Sequence, residues 1–311
     1  MKRISIVVPC FNEEEVIRET FSQLRRLIES LIEAKIIRDN SEIYFVDDGS
    51  NDDTWPIIEE LASCSRNARG IKLSKNRGHQ FALLAGLLHA PGDAVISLDA
   101  DLQDDPAIIE NMVRLFYEGI DVVFAVRSAR QFDTLFKRAT ARRFYDLMRI
   151  LGVETIPDHA DYRLMSRRAI DALASYKESN VFLRGIIPQL GFSTAIVNYE
   201  RNPRFAGDTK YSIRKMISFA LDGVTSFSIA SLRLISVLGI AVSIVSFIIG
   251  AWALFIRLFT EIATPGWAST VVPLAFLGGI QLLSLGIVGE YIGKTYMETK
   301  RRPRYIIDKT L

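Results

Sequence analysis

Asp99-Ala100-Asp101 follows an apolar run at residues 94–98, and Gln103, Asp104 and Asp105 come directly after, so four carboxylates fall within seven residues with no cation among them. Like charges this close repel unless they are solvated, protonated or sharing a cation. Asp99 and Asp101 alternate at the end of what reads as a buried strand, so extended geometry points them the same way, with the Gln103 amide two positions on. Two carboxylates and an amide oxygen are hard ligands suited to Mg²⁺ or Mn²⁺ carrying a substrate phosphate, whereas without His or Cys partners they make a poor zinc site. Asp104 and Asp105 sit beside Pro106, where a helix cap belongs. Asp47-Asp48-Gly49-Ser50 closes a second apolar run. Carboxylates there can accept hydrogen bonds from ribose hydroxyls or a base N–H, and the glycine permits close approach.

The elements that must position these groups alternate along the chain. β-branched runs at residues 4–8, 43–46, 70–73, 94–98 and 122–126 are separated by helical patterns at 14–34, 54–62, 80–89 and 106–117. Continuous apolar strands separated by helices predict an α/β domain with a mostly parallel sheet buried on both faces. Ligands of such sheets bind outside the carboxyl ends of the strands, and those ends read PCFNEEE, DDGSND, SKNRG, DADLQDD and Arg127. The first has Pro9-Cys10-Phe11-Asn12-Glu13 where a dinucleotide fold wants its glycine fingerprint, and no Gly-Lys-Ser phosphate loop occurs. His79, after the SKNRG turn and opening a helix, reads first as a structural histidine, with contact of Arg77-Gly78-His79 to a diphosphate as the alternative. Cys10 reads as a packed residue and not a nucleophile.

The 311 residues carry 38 basic and 36 acidic side chains and only two cysteines, Cys10 and Cys64, so no disulfide framework, no metal-binding cysteine spacing and no nucleic-acid partner is expected. The N-terminal apolar run is too short for a signal peptide. Composition changes after about residue 230. Leu234 to Ile256 and Ile262 to Gly289 are uncharged stretches, each long enough to cross the roughly 30 Å of a bilayer core. Lys294, Lys300, Arg301, Arg302 and Arg304 follow the second stretch, Arg214, Lys215 and Arg233 precede the first, and the connector between them is nearly free of cations. Both ends are therefore expected on the cytosolic side of a two-span hairpin. This predicts a cytosolic catalytic domain at 1–210, an amphipathic segment at 211–230, the hairpin at 231–293 and a basic tail at 294–311. The stripe Ile213, Ile217, Ala220, Val224 and Phe227 suits an interfacial helix and equally a core-facing one.

VVPCFNEEE, VDDGSNDDT, KNRGHQFALLAG, DADLQDDP, DYRLMSR and AGDTKYSIRKM, in that order and followed by two apolar spans, resemble the polyprenyl-phosphate glycosyltransferases of glycosyltransferase family 2. The resemblance covers nearly the whole chain. It implies the GT-A fold, a Rossmann-like catalytic domain, and an inverting transfer of a hexose, glucose foremost, from a UDP-sugar to polyprenyl (undecaprenyl) phosphate at a bacterial plasma membrane. It further implies that Pro9, Phe11, Glu13, Asp47, Asp48 and Asp99 hold the nucleotide and that Asp99, Asp101 and Gln103 hold the divalent ion. It also implies a homo-oligomer, with a tetramer as the family's model. Arg127, Arg138, Arg163, Arg201, Arg204 and Lys210 are candidates for the acceptor phosphate. Asp161 is a base, a positioner of the sugar or the partner of Arg163, and with Asp101, Arg127 and Arg163 makes up the candidate catalytic set.

N-acetylglucosamine, galactose, mannose from GDP-mannose or an aminoarabinose-type sugar remain alternative donors. A processive polysaccharide synthase would carry Gln-x-x-Arg-Trp, which none of Trp55, Trp252 and Trp267 fits. A non-catalytic membrane scaffold would have no physical reason to keep repelling carboxylates.

Overall fold

The computed structural model describes residues 1–127, 159–178, 181–200 and 266–311, with single positions between 235 and 259. The elements in chain order are β1 (Ile4–Cys10), α1 (Ile17–Glu33), β2 (Glu42–Asp47), α2 (Thr54–Cys64), β3 (Ala68–Leu73), α3 (His79–His89), β4 (Ala94–Ser97), α4 (Ile108–Tyr117), β5 (Val122–Arg127), β6 (His159–Ser166), α5 (Arg167–Ala174), α6 (Leu183–Gln189), β7 (Thr194–Tyr199), α7 (Trp267–Thr299) and β8 (Ile307–Thr310). The described strands form one sheet in the order β7-β5-β6-β4-β1-β2-β3-β8. The pairs β1–β2, β1–β4, β2–β3 and β5–β7 are parallel, while β6 runs antiparallel to both β4 and β5, and β8 antiparallel to β3.

Alternation along the strands builds two apolar layers. Ile4, Ile6, Val8 and Cys10 of β1 face the layer shared with Phe21, Leu24 and Ile28 of α1, Ile58 of α2 and Ile109 and Met112 of α4. Val7 faces the other, with Ala82, Leu83, Leu84 and Leu87 of α3, Ile170 of α5 and Ile186 of α6. Buried Ile17, Phe21, Leu24, Ile28 and Leu31 recur at three- and four-residue spacing, which is why this polar helix forms and docks. Each such side chain fully removed from water contributes roughly 1.5–3 kcal/mol. Helix α3 lies so close to the sheet that a Cβ on Gly86 would come within 2.2 Å of Val7 Cγ1. The glycine sets the depth at which α3 sits, and the N-terminus of α3 carries His79 into the site.

The five parallel-type strands and four helices expected from periodicity are present within a few residues at each end. Three features differ. The segment DYRLMSR, outside the strands expected from periodicity, is part of the antiparallel strand β6 in the middle of the sheet. Strand β4 ends at Ser97, so Asp99 to Asp101 occupy a turn and not the extended strand that was to aim them together. Residues 294–311, read as a basic tail, divide: Lys294 to Thr299 continue α7 and Ile307–Thr310 add an edge strand to β3. Among the described residues one helix contains a segment long and apolar enough to cross a membrane, Phe276–Thr299, whose apolar window is not buried against the rest of the protein. The stretch from Leu234 to Ile256 and the segment 211–230 lie largely or wholly outside the described residues.

Asp121, just before β5, ties the far side of the sheet together. Its carboxylate accepts hydrogen bonds from Arg168, Ser166 Oγ (2.8 Å) and Ser193 Oγ (2.9 Å). The Arg168 bond above all lowers its pKa to about 2, against the smaller opposing effect of burial, with the two serines adding to the lowering. A carboxylate depressed on folding contributes stability above its unfolded pKa of about 3.9 and loses it as pH falls through the folded value. Exposed Arg168 is partly screened by solvent, so Asp121→Asn is expected to cost about 1–2 kcal/mol at pH 7. Urea unfolding of parent and variant should show that gap constant from pH 7 to 5 and closing between about pH 4 and 2.

Candidate active site

The carboxyl ends of β1, β2, β3 and β4 converge on one edge of the sheet. Asp47 closes β2 and is fully buried, with Oδ1 accepting the Ser50 amide at 3.1 Å. Its Oδ2 is buried with no hydrogen-bond partner among the described residues. Burial raises the Asp47 pKa, and hydrogen bonds from Ser50 and the charge of Lys72 only partly oppose it. A buried acceptor left without a donor costs about 1–3 kcal/mol, and a ligand N–H or O–H would satisfy it. Asp48 is committed differently. Its two oxygens accept the amides of Arg77 and Gly78, each at 2.8 Å, and so hold the loop between β3 and α3. Gly49, at φ +69°, lets this loop approach: a Cβ there would lie 2.6 Å from Asn76 N.

Pro9 is buried within β1 opposite Val46, and Phe11 and Glu13 follow in a half-buried turn. Asn12 takes φ +54°, a conformation asparagine tolerates, and its Oδ1 accepts the Asn51 amide at 2.9 Å. The Glu13 amide donates to Thr54 Oγ1 at 2.8 Å, and the Glu13 carbonyl accepts from Val16 and Ile17. The sequence-predicted nucleotide residues of β1 and β2 are thus brought together by hydrogen bonds between the loops that follow the two strands. Cys10 is buried with its thiol pKa raised, by burial first and by Glu13, Asp47 and Asp52 next, as befits a packed residue.

After β4 the chain turns sharply. Asp101 Oδ1 accepts the Gln103 amide at 3.2 Å, and Leu102 is held at φ +58° with its side chain buried. A left-handed leucine is rare, and the packing that holds it here fixes the acidic turn. Asp99 and Asp101 remain partly exposed while Asp104 is buried. Asp104 therefore is not the helix cap read from its place before Pro106: its carboxylate accepts the hydroxyl of Tyr199, at the end of β7. Asp105 does turn the chain into α4, accepting the Ala107 amide at 2.9 Å.

Strand β6 supplies the other half of the site. Asp161 is buried and accepts Arg163, Arg184 (Nη2 to Oδ2, 3.0 Å) and Gln80 (Nε2 to Oδ2, 3.1 Å), with His79 Nε2 at 3.4 Å. Burial alone would raise its pKa, but Arg184, the His79 hydrogen bond and Arg163 outweigh it and hold it well below the usual carboxylate range. An acid so stabilised as a carboxylate is a poor proton acceptor at neutral pH, which favours the partner role over the base role. His79 also lies 3.5 Å from Asp99 Oδ1. Burial pulls its pKa down, yet the Asp161 hydrogen bond and the Asp99 and Asp161 charges raise it to about 9. Asp99 is pushed up to about 6 by burial, with His79 opposing and Asp161, Asp104 and Asp101 adding to the rise.

Arg163 has no exposed surface. It is enclosed inside the protein beside Asp161, so the reading of Arg163 as a direct holder of the acceptor phosphate is corrected to that of a buried counter-ion. Arg77 is likewise turned away from the site: its side chain donates to the carbonyls of Pro303 and Arg304. Arg184 and Gln80 were not singled out from sequence. Gln80 lies within the KNRGHQFALLAG motif and Arg184 outside every quoted motif, and the placement of β6 makes both neighbours of Asp161. Arg127 closes β5 in register with Tyr199 of β7, while Arg138, Arg201, Arg204 and Lys210 lie outside the described residues.

Among the described residues no three His, Cys, Asp or Glu side chains form a closed metal cage. The turn instead offers the hard oxygens of Asp99, Asp101 and Gln103, with Asp101, Asp104 and Asp161 near Asp99. A divalent ion that binds through one or two carboxylates and completes its shell with water and substrate phosphate fits this set.

A mixed, mostly parallel sheet with helices on both faces and acidic loops at its strand ends is a GT-A-like fold. The family model for glycosyl transferase family 2 matches residues 5–174, and the chain belongs to that family. The chain is 50% identical over 307 residues to the Bacillus subtilis protein named uncharacterized glycosyltransferase YkoT, covering 98% of this chain and 91% of that one. It is 42% identical over 308 residues to a prophage bactoprenol glucosyl transferase homolog of Escherichia coli, covering 99% of each. Glucosyl-3-phosphoglycerate synthase from Mycobacterium tuberculosis, in a crystal structure with phosphoglyceric acid, superposes with a TM-score of 0.51 at 20% identity, over 73% of this chain and 79% of that one. That likeness speaks to the fold alone.

Removing the charge of Asp161 leaves Arg163 buried without a counter-ion, whereas removing half-exposed Arg184 leaves Asp161 still paired. Asp161→Asn is therefore expected to cost about 3–5 kcal/mol of unfolding free energy and Arg184→Gln about 1 kcal/mol. Chemical denaturation of the two variants side by side checks the order; equal losses would contradict it.

Proposed function

We propose that the protein transfers glucose from UDP-glucose to a polyprenyl phosphate of the undecaprenyl type, with inversion at the anomeric carbon. The observation that carries the acceptor class is the reach of the similarity. The family model ends at residue 174, but the likeness to the bactoprenol glucosyl transferase homolog continues through the basic segment and both uncharged stretches beyond it. Those are the parts that would meet a lipid-linked acceptor.

In this reading Asp47, with its unsatisfied Oδ2, accepts from the base or ribose of the donor, and Pro9, Phe11 and Glu13 line the same end of the pocket. Asp99, Asp101 and Gln103 are the residues that would hold Mg²⁺ or Mn²⁺. A bound divalent ion supplies neutralisation of the charge that develops on the departing diphosphate. The His79 imidazolium, held next to Asp99, adds a fixed positive charge on the same side. A phosphate monoester has its second pKa near 6 and is largely ionised at neutral pH, so its attack needs positioning more than deprotonation. Arg127, Arg138, Arg201, Arg204 and Lys210 are assigned to that positioning, and Asp161 to orienting Arg184 and His79. The apolar run within α7 and the uncharged stretch from Leu234 support attachment at the bilayer, with the acidic strand ends on the cytosolic side, where nucleotide sugars are available.

The test is incubation of the purified full chain and undecaprenyl phosphate with labelled UDP-glucose, UDP-galactose, UDP-N-acetylglucosamine and GDP-mannose, with and without EDTA. Label is expected in lipid from UDP-glucose, lost with EDTA and restored by Mg²⁺ or Mn²⁺. Asp101→Ala is expected to lower the rate by about 100-fold or more. Lipid labelling that survives EDTA and dialysis overturns the metal assignment, and no labelling from any donor overturns the reaction.

A further inference from the structure

The chain leaving α7 returns directly to the donor end of the sheet. Arg77 Nε donates to the Arg304 carbonyl at 2.9 Å and Nη2 to the Pro303 carbonyl at 3.0 Å. The Ser74 amide donates to the Ile306 carbonyl at 2.9 Å, β8 pairs antiparallel with β3, and the Leu311 amide reaches the Gly70 carbonyl at 2.8 Å. Tyr305 packs edge-on against His89, at the far end of α3, with ring centroids 5.9 Å apart. Residues 303–311 thus strap both ends of α3 and the edge of β3, beginning shortly after α7 ends.

The loop beneath the strap has no regular structure between Asn76 and Gly78. It is held from one side by the Asp48 carboxylate on the Arg77 and Gly78 amides, and from the other by the Arg77 guanidinium on the strap carbonyls. Two residues past Arg77, His79 meets Asp99 and Asp161. Guanidinium bonds to two carbonyls fix both the position and the orientation of a side chain, which a lysine could not reproduce.

We propose that the strap at 303–311 is part of the donor site and that Arg77 is the positioning residue through which it acts. By clamping the strap, Arg77 holds the 75–79 loop where Asp48 is satisfied and His79 reaches the acidic turn. The geometry of the donor pocket is thereby coupled to the end of α7. Coupling of this kind is reciprocal: a docked strap favours nucleotide, and bound nucleotide favours a docked strap. The inference rests on the assignment of the loops at 47–49, 75–79 and 99–103 to the donor.

The test uses the full chain in detergent, with Arg77→Ala, Arg77→Lys, a truncation after Arg302, and the truncation combined with Arg77→Ala. UDP binding in the presence of Mn²⁺ is measured by calorimetry, and removal of the C-terminal residues by carboxypeptidase is followed by mass spectrometry with and without UDP. Arg77→Ala and the truncation are each expected to weaken UDP binding about tenfold, Arg77→Lys nearly as much, and the combined variant no further than the truncation, because the truncation already removes the two carbonyls that Arg77 holds. Carboxypeptidase is expected to trim the Arg77→Ala protein faster even without nucleotide, and UDP to slow trimming of the parent but not of that variant. UDP affinity indifferent to truncation, or additive losses in the combined variant, overturns the proposal. Failure of the parent itself to bind UDP sinks the donor assignment instead, while unchanged trimming of Arg77→Ala sinks the clamp alone.

Discussion

The site depends on one buried ion pair. Arg163 sits on a central strand with no exposed surface, and a guanidinium in that position is tolerable only with a carboxylate beside it. Asp161 provides the carboxylate from the same strand, two residues earlier. Having been placed there, it also collects Arg184 from α6 and His79 and Gln80 from α3. The pair therefore fastens two helices to the sheet edge where the strands end. It also sorts charge: cations gather around Asp161, while Asp99, Asp101 and Asp104 gather in the turn after β4. His79 stands at the boundary, within 3.5 Å of both Asp99 and Asp161. The site thus has one side suited to anions and an adjoining side suited to a cation.

The second constraint is the convergence of parallel strands. Because β1, β2, β3 and β4 run the same way, the loops after them share one edge, and their contacts are made by backbone as much as by side chains. Asp48 commits both oxygens to amides of the next loop, and Gly49 removes the Cβ that would keep the two loops apart. Adjacent aspartates thus do opposite things. Asp48 is consumed in building the pocket, and Asp47 keeps a buried oxygen available.

The parallel half of the sheet was legible because its strands are apolar on both faces and its helices carry a periodic stripe, as in the runs at 4–8 and 43–46 and the spacing of Phe21, Leu24 and Ile28. The acidic pairs were legible because repelling carboxylates after a buried strand demand a reason. Strand β6 was not, since Asp161 and Arg163 interrupt the apolar pattern that announces a buried strand, and their mutual neutralisation exists only once the strand is paired. Arg184 and Gln80 were hidden for the same reason. Asp104 was misread because its neighbour Asp105 does perform the local turn, and nothing near it in the chain points to Tyr199, 95 residues away. Arg163 was misassigned to the substrate because an arginine in a basic region suggests surface charge, whereas its burial follows from strand order.

Those misreadings share one cause, the antiparallel insertion of β6 between β4 and β5. In a wholly parallel sheet β4 would neighbour β5, and the acidic turn would face only the loops of the first half. The inserted strand sets Arg163 opposite Ser97, at the last residue of β4, and β7 beyond β5 brings Tyr199 against Asp104. The acidic turn is thus gripped by groups from the second half of the domain. The chain continues from Tyr199 into the basic segment assigned to the acceptor phosphate. The same reversal of one strand that neutralises a buried arginine therefore joins the acidic turn to the second half of the domain.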